Sequence, residues 1–484
     1  MHENTSRRVI FGIPELFYWM NEENRDPQQS EELVNRYEQM IAQNASWYFD
    51  IDQLEEIIGY YCDDNKFAQA LKVVDYAYTL FPENTDMMLR EAQILAGMGH
   101  LSRALGRLKE LERFESRNEE VLLTMASIYS QLREHQKAIA LYRKALELGG
   151  EEYEEEINLE IALEYENMDR FDKAIETLQD ALTRKPDNET LLYELAYCFE
   201  ATDRYAECIG YYKAFLDRHP FSFPAWYNLG NAYQKMEKLE ESIDAYDYCL
   251  AIQADFAPAF YNKAHALFKQ EKYHETIQVL EESYTAEPPQ APVYCHIGEC
   301  FEKLGEYDKA LFYYRKSLTL DDTYADSYLG MGMVMDLQGR TSESIALIEK
   351  AVSLEPENPD YSLFLAEMLK KLNRFADALE ITRNLTERFP ENEDVWIDHA
   401  DLYFCQSDLR TALEVIQEGW QKIPNSAVIG YRKVAYLLES GKKEEAEDLL
   451  ARLHANEPEG AGELAEYYPA IRQNLMFISL MGSR

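Results

Sequence analysis

The sequence predicts an all-α solenoid of antiparallel helix pairs, and three observations predict it. The chain repeats itself every 34 residues, two positions of the repeat stay small, and the prolines recur where helices end or begin. The repeat shows most plainly in PAWYNLGNAYQKMEKLEESIDAYDYCLAIQAD, from Pro224. A shift of 34 aligns it with PAFYNKAHALFKQEKYHETIQVLEESYTAEPP, from Pro258, and a second with PVYCHIGECFEKLGEYDKALFYYRKSLTLDD, from Pro292. Extended both ways, repeats start at Ile51, Thr85, Glu119, Glu155, Glu189, Phe223, Ala257, Ala291, Ala325, Pro359, Glu393 and Ala427. These twelve units cover residues 51–460, and one of them, 119–154, carries a two-residue insertion.

Each part of the unit has a packing reason. The eighth position is Gly or Ala in ten of the twelve units, as in Ala92, Gly230, Gly298 and Gly332. The twentieth is always small, as in Ala70, Cys208, Ser242, Thr276 and Ala412. Small residues there let two helices approach, and larger ones such as Leu229, Tyr233 and Tyr246 fill the space between ridges. The exceptions at the eighth position, Ile58 and Val434, fall in the first and last units, which lack one neighbour. Pro82, Pro186, Pro220, Pro288, Pro356, Pro390, Pro424 and Pro458 share the offset where the second helix should end. Pro224, Pro258 and Pro292 sit in the first turn of the next helix, where a missing N–H costs nothing.

The organisation expected is a segment at 1–50 ending in a capping helix, repeats at 51–460, and a C-terminal helical segment at 461–484. Leu33, Tyr37, Met40 and Ile41 share a face of a helix over 28–43. The C-terminal run LMFISLM, from Leu475, is apolar almost all round. It either folds onto the last repeat or serves docking and self-association; the apolar stretch from Val9 to Met20 poses the same choice. Arg7 and Arg8 precede that stretch, but Pro14 and Glu15 interrupt it and no small-x-small site follows, so no export signal is expected; translation from Met20 is an alternative.

Composition and motifs narrow the function classes. With 48 Lys+Arg against 89 Asp+Glu, the net charge of −41 works against nucleic acid and anionic membranes. No apolar run reaches membrane-spanning length. Seven scattered cysteines with no C-x-x-C make no disulfide framework, which fits a reducing, cytoplasmic setting. Nucleophile-elbow, zincin, phosphate-loop and EF-hand motifs are absent, so no enzyme, cofactor or metal is expected. The glycines of GMGMVM, from Gly330, read as packing inside a repeat helix. Cys208 and Cys249 read as structural. His265 and His296 lie one repeat apart with no third ligand. The acidic run at 151–156 reads as a solvated helix start.

The pattern W-x2-L-G-x2-Y…Y, carried by Trp226, Leu229, Gly230, Tyr233 and Tyr246, resembles the tetratricopeptide repeat. Ser242 and Ala254 stand where that repeat usually has Ala and Pro. The resemblance covers about 85% of the chain. It implies a right-handed superhelix whose concave groove, lined by the first helix of each pair, binds peptides or proteins. The family geometry turns the second, fifth, sixth, ninth and thirteenth residues of a unit into that groove. In the central units these include Tyr227, Asn228, Asn231 and Lys235; Tyr261, Asn262, His265 and Lys269; and His296, Glu299 and Lys303. Asparagine offers a donor and an acceptor to a peptide backbone. Lys235, Lys269 and Lys303, spaced by 34, would stack as a basic row suited to an acidic segment or a C-terminal carboxylate.

Two subfamilies are set aside. Members that clamp the carboxylate tails of heat-shock chaperones use two asparagines, two lysines and an arginine. Asn231 and Asn262 match, whereas Tyr227, Pro292 and His296 replace the basic residues. Glycosyltransferase members carry an asparagine ladder, which Asn228 and Asn262 begin and His296, Gly330 and Phe364 break; no catalytic domain follows within the sequence. The function expected is a non-enzymatic scaffold or adaptor holding an extended protein segment in the groove. The alternatives are self-assembly into homo-oligomers through the apolar ends, or a regulatory subunit of a larger enzyme or secretion/assembly complex.

Overall fold

A computed structural model describes residues 27–149, 153–458 and 460–481. The helices fall into two bodies, one running to Gln253 and one starting at Ala254. The first holds α1 (Pro27–Ala42) and then six pairs: α2 and α3 (Ile51–Asp63, Phe67–Leu80), α4 and α5 (Thr85–Gly97, Leu101–Phe114), α6 and α7 (Glu119–Gln131, His135–Leu148), α8 and α9 (Glu154–Glu166, Phe171–Arg184), α10 and α11 (Glu189–Glu200, Tyr205–Leu216), α12 and α13 (Phe223–Lys235, Leu239–Ile252). The second holds α14 and α15 (Ala257–Lys269, Tyr273–Glu282), α16 and α17 (Ala291–Lys303, Tyr307–Leu320), α18 and α19 (Ala325–Leu337, Thr341–Leu354), α20 and α21 (Pro359–Lys371, Phe375–Arg388), α22 and α23 (Glu393–Cys405, Leu409–Lys422), α24 and α25 (Ala427–Glu439, Lys443–Asn456), then α26 (Gly460–Tyr467) and α27 (Leu475–Met481). No strand occurs among the described residues.

Eleven of the twelve first helices begin at the residue the repeat register assigns; α8 begins one earlier, at Glu154, next to the insertion. Local chemistry explains the starts. Asn84, Asn118, Asn188 and Asn392 each accept a backbone N–H of the first turn through the side chain, which satisfies an otherwise orphaned donor. Pro224, Pro258 and Pro292 occupy the first turn of their helices. The hairpin turns are equally regular. In every repeat the fifteenth residue has positive φ, between 54° at Asp169 and 79° at Gly441. The following N–H reaches back five residues, as Lys66 does to the Tyr61 carbonyl at 2.7 Å and Lys442 to Leu437 at 2.9 Å, closing each helix with a Schellman-type turn.

Packing follows the small positions. The Tyr246 ring lies against Gly230 and the Tyr314 ring against Gly298, so close that a Cβ on either glycine would sit under 3 Å from ring carbons. Tyr212, Tyr246 and Tyr314 are fully buried. In the first body a continuous apolar core runs from Leu89 to Ala245, beside a smaller one that α1 covers with Leu33, Val34, Tyr37 and Met40. Ile41, expected on that face, is 56% exposed. Val34 takes the inner place instead, and the helix ends one residue after Ile41.

At the other end, Phe477 of the LMFISLM run is buried with Tyr431, Leu450 and Ile471. Asn474 caps this helix, accepting the Met476 and Phe477 N–H groups at 2.9 and 3.1 Å, and its own amide donates to Glu447. The run therefore folds onto the last repeat, with Ile478 left half exposed. The apolar stretch from Val9 to Met20 lies outside the described residues.

Candidate functional site

The first-helix face chosen from the sequence is more heavily engaged within the protein than the offsets suggested. In the first body, Asn228 is 3% exposed. Its Nδ2 donates to the Leu192 carbonyl at 3.1 Å and to the Tyr212 hydroxyl at 3.3 Å, while that hydroxyl donates to the same carbonyl at 2.6 Å. Asn228 is thus a packing residue, correcting its placement in an open groove. The cause is Tyr212, whose fully buried phenol needs polar partners. Asn231 is half-buried, and its Oδ1 accepts from the Tyr246 hydroxyl at 2.7 Å. Tyr227 stands edge-on to Tyr193 at 6.3 Å. Lys235 is exposed but paired with Glu200 at 2.7 Å, and that hydrogen bond raises the lysine pKa.

In the second body, Tyr261 donates to Glu287 at 2.5 Å and Asn262 is half-buried. His265, Lys269 and Lys303 are exposed. His296 packs edge-on to Phe268 at 5.0 Å. Burial, and then the charge of His265, push its pKa down to about 4, so it is neutral at pH 7. Burial pushes Glu299 up to about 7, helped by Asp326 and Glu302 and opposed by Lys303. Glu302 accepts from Tyr314 at 2.8 Å, and Asp326 from Tyr361 at 2.6 Å. Beside Lys303 this face therefore carries a knot of carboxylates, where the offsets led one to expect a run of positive charge.

The sequence reading missed a ladder between neighbouring repeats. Lys235 meets Glu200, Lys371 meets Asp336 at 2.6 Å, and Arg90 meets Glu55 at 3.1 Å. Each pair is 35 residues apart, one position along in the next repeat. Opposite charges at that spacing were the available signal, but comparing only equal offsets hides it. For Lys303 the residue 35 earlier is Phe268, so its rung carries no acid. Arg90 also bonds Glu120 at 2.6 Å and Gln93 at 2.9 Å, tying three repeats of the first body together with its guanidinium largely buried.

At the C-terminal end the chain covers this face itself. Tyr467 of α26 donates to Asp401 on α22 at 2.8 Å, and its ring lies 3.3 Å beneath the Arg432 guanidinium. Arg432 in turn pairs with Asp401 at 3.1 Å. Among the described residues, no three His, Cys, Asp or Glu side chains converge as a metal site, and no helix is long and apolar enough to cross a membrane.

Profiles described as Tetratricopeptide repeat match residues 119–148, 159–223, 223–256, 257–290, 291–324 and 337–402, together more than half of the chain. Among solved structures the chain is similar to one in the crystal structure of the APC/C hetero-tetramer Cut9-Hcn1, at 14% identity over 85% of this chain and 93% of that one, TM-score 0.39. It is also similar to MamA, at 20% identity over 36% of this chain and 94% of that one, TM-score 0.32. No curated protein matches the sequence. Repeats of this kind serve protein–protein interaction, which in that general sense makes the molecule a protein-binding scaffold. Its helix pairs, its repeat register and the profiles agree: the chain belongs to the tetratricopeptide-repeat family.

Proposed function

We propose that the scaffold holds an extended segment of a protein partner along its first-helix faces, without catalysing a reaction. The observation that carries this reading is a contrast within the second body. The last repeats have this face covered by α26, through Tyr467, Arg432 and Asp401, whereas His265, Lys269 and Lys303 remain exposed on α14 and α16. Covering the end repeats removes polar groups that a partner would otherwise reach, and leaves the middle ones for it.

The charges also shape the partner. In the second body Lys303 stands beside Glu299 and Glu302. A uniformly acidic segment would gain from Lys303 and lose against its neighbours. The face suits a segment of mixed charge, with a carboxylate for Lys303 and a basic or hydrogen-bonding group for the carboxylates next to it.

The test compares partners retained from native extract by the wild-type chain, by a His265→Ala/Lys303→Glu variant and by a control variant at the exposed Asp180 of α9, Asp180→Asn, all of equal helicity. A partner lost with the first variant and kept with the second is expected. Partner lists identical for wild type and His265→Ala/Lys303→Glu would place binding elsewhere.

A further inference from the structure

On the side of α12 away from Asn231, helices α11, α12 and α13 line an open cavity of about 280 Å³, wholly within the first body. Trp226 and Tyr248 form its aromatic wall, their rings stacked at 4.4 Å and 23°. The indole N–H of Trp226 donates to the Pro220 carbonyl at 2.8 Å, which fixes the ring before any ligand arrives. Tyr248 is 57% exposed, unusual for so large a ring. Around these rings stand Asp217, Glu241 and Asp244, with Lys213 the single cation, and all four are exposed. Among the described residues none of the four takes part in an ion pair.

We propose that this cavity docks an arginine side chain of a protein partner. Three carboxylates against one lysine leave the rim negative, in a molecule already at −41. A cation over an aromatic face is attracted by the ring quadrupole, and a planar guanidinium both stacks on a ring and forks between carboxylate oxygens. An ammonium shares the charge but lacks the plane and the fork. The pinned indole lowers the ordering required on binding. Because the cavity lies across α12 from the first-helix face, the two surfaces can be disabled separately.

The probe is an acetylated Gly-Ser-Arg-Ser-Gly amide, titrated at low salt into the full chain while indole fluorescence and heat are followed. Counterparts carry lysine or citrulline, and free arginine amide is a further arm. Saturable binding is expected for the arginine peptide, at least fivefold weaker for lysine and absent for citrulline. Glu241→Gln/Asp244→Asn and Tyr248→Leu should each weaken it at least fivefold; both alter exposed side chains, and circular dichroism checks the fold. Equal binding of arginine and lysine peptides, or binding indifferent to both variants, would reduce the effect to general attraction and overturn the proposal. So would the absence of binding. Free arginine amide binding as tightly as the peptide would make this a small-cation site and overturn the docking role.

Discussion

Position fifteen of each repeat must adopt left-handed backbone, and the twelve residues found there differ in how well they suit it. Four are glycine, and Asn65, Asn373, Asp169 and Asp203 tolerate the conformation, but Arg133 and Glu237 carry a Cβ into it at φ of 59° and 56°. The left-handed penalty of roughly 1–2 kcal/mol is partly offset by the greater unfolded-state freedom of glycine, so Arg133→Gly should stabilise by about 0.5–1 kcal/mol in urea unfolding. At the eighth position the preference reverses. A Cβ at Gly230 would lie 2.5 Å from the Tyr246 ring, and a buried ring cannot yield cheaply. Gly230→Ala should lower stability by about 1–3 kcal/mol despite the better helix propensity of alanine. Glu299 brings a pH dependence. Its folded pKa, about 7, exceeds the ordinary 4.5 because burial disfavours the charge. The folded state therefore binds the proton more tightly, and stability falls as pH rises from about 4.5 to 7. Glu299→Gln should be close to neutral at pH 4 and stabilising by on the order of 2 kcal/mol at pH 8. A pH-independent difference between variant and wild type would remove the burial argument.

Among helices, the contacts that join one repeat to the next determine what can be taken from sequence. The hairpin was legible because its requirements recur at equal offsets: Gly298 against Tyr314, and Pro292 in the first turn of α16. The first-helix face was only partly legible. Asn228 has the polarity of a groove residue, yet Tyr212 from the preceding second helix draws it inward; no offset within one repeat displays that partner. The 35-residue rungs escaped for the same reason. Tyr467 was harder still, since it meets Asp401 from 66 residues away through a helix outside the repeats. This last contact has a measurable consequence. Tyr467→Phe removes a hydroxyl from Asp401 while Arg432 and Tyr436 remain to satisfy the carboxylate. A cost of about 0.5–1.5 kcal/mol is expected. It should appear as faster hydrogen exchange in α24 to α26, with α1 to α13 unchanged, because repeats exchange stability mainly with their neighbours.

For the molecule as a whole the largest imbalance is one of charge: 89 acidic side chains stand against 48 basic ones. Ion pairs such as Lys235–Glu200 offset it locally, but both partners of that pair are about half exposed, and contacts of that kind contribute roughly 0–1 kcal/mol. Self-repulsion among the remaining carboxylates acts over a Debye length, about 30 Å at 0.01 M salt and about 3 Å at 1 M. At low salt that length spans several neighbouring helices, at high salt less than one helix diameter. Raising sodium chloride from about 0.01 to about 0.5 M should therefore screen the net repulsion more than it weakens the exposed pairs, and the thermal midpoint should rise. The transition should also sharpen, since repulsion between neighbouring repeats weakens the coupling that makes a repeat array unfold together. A midpoint that stays level or falls would mean that the pairs, the 35-residue rungs among them, contribute at least as much as the excess charge removes.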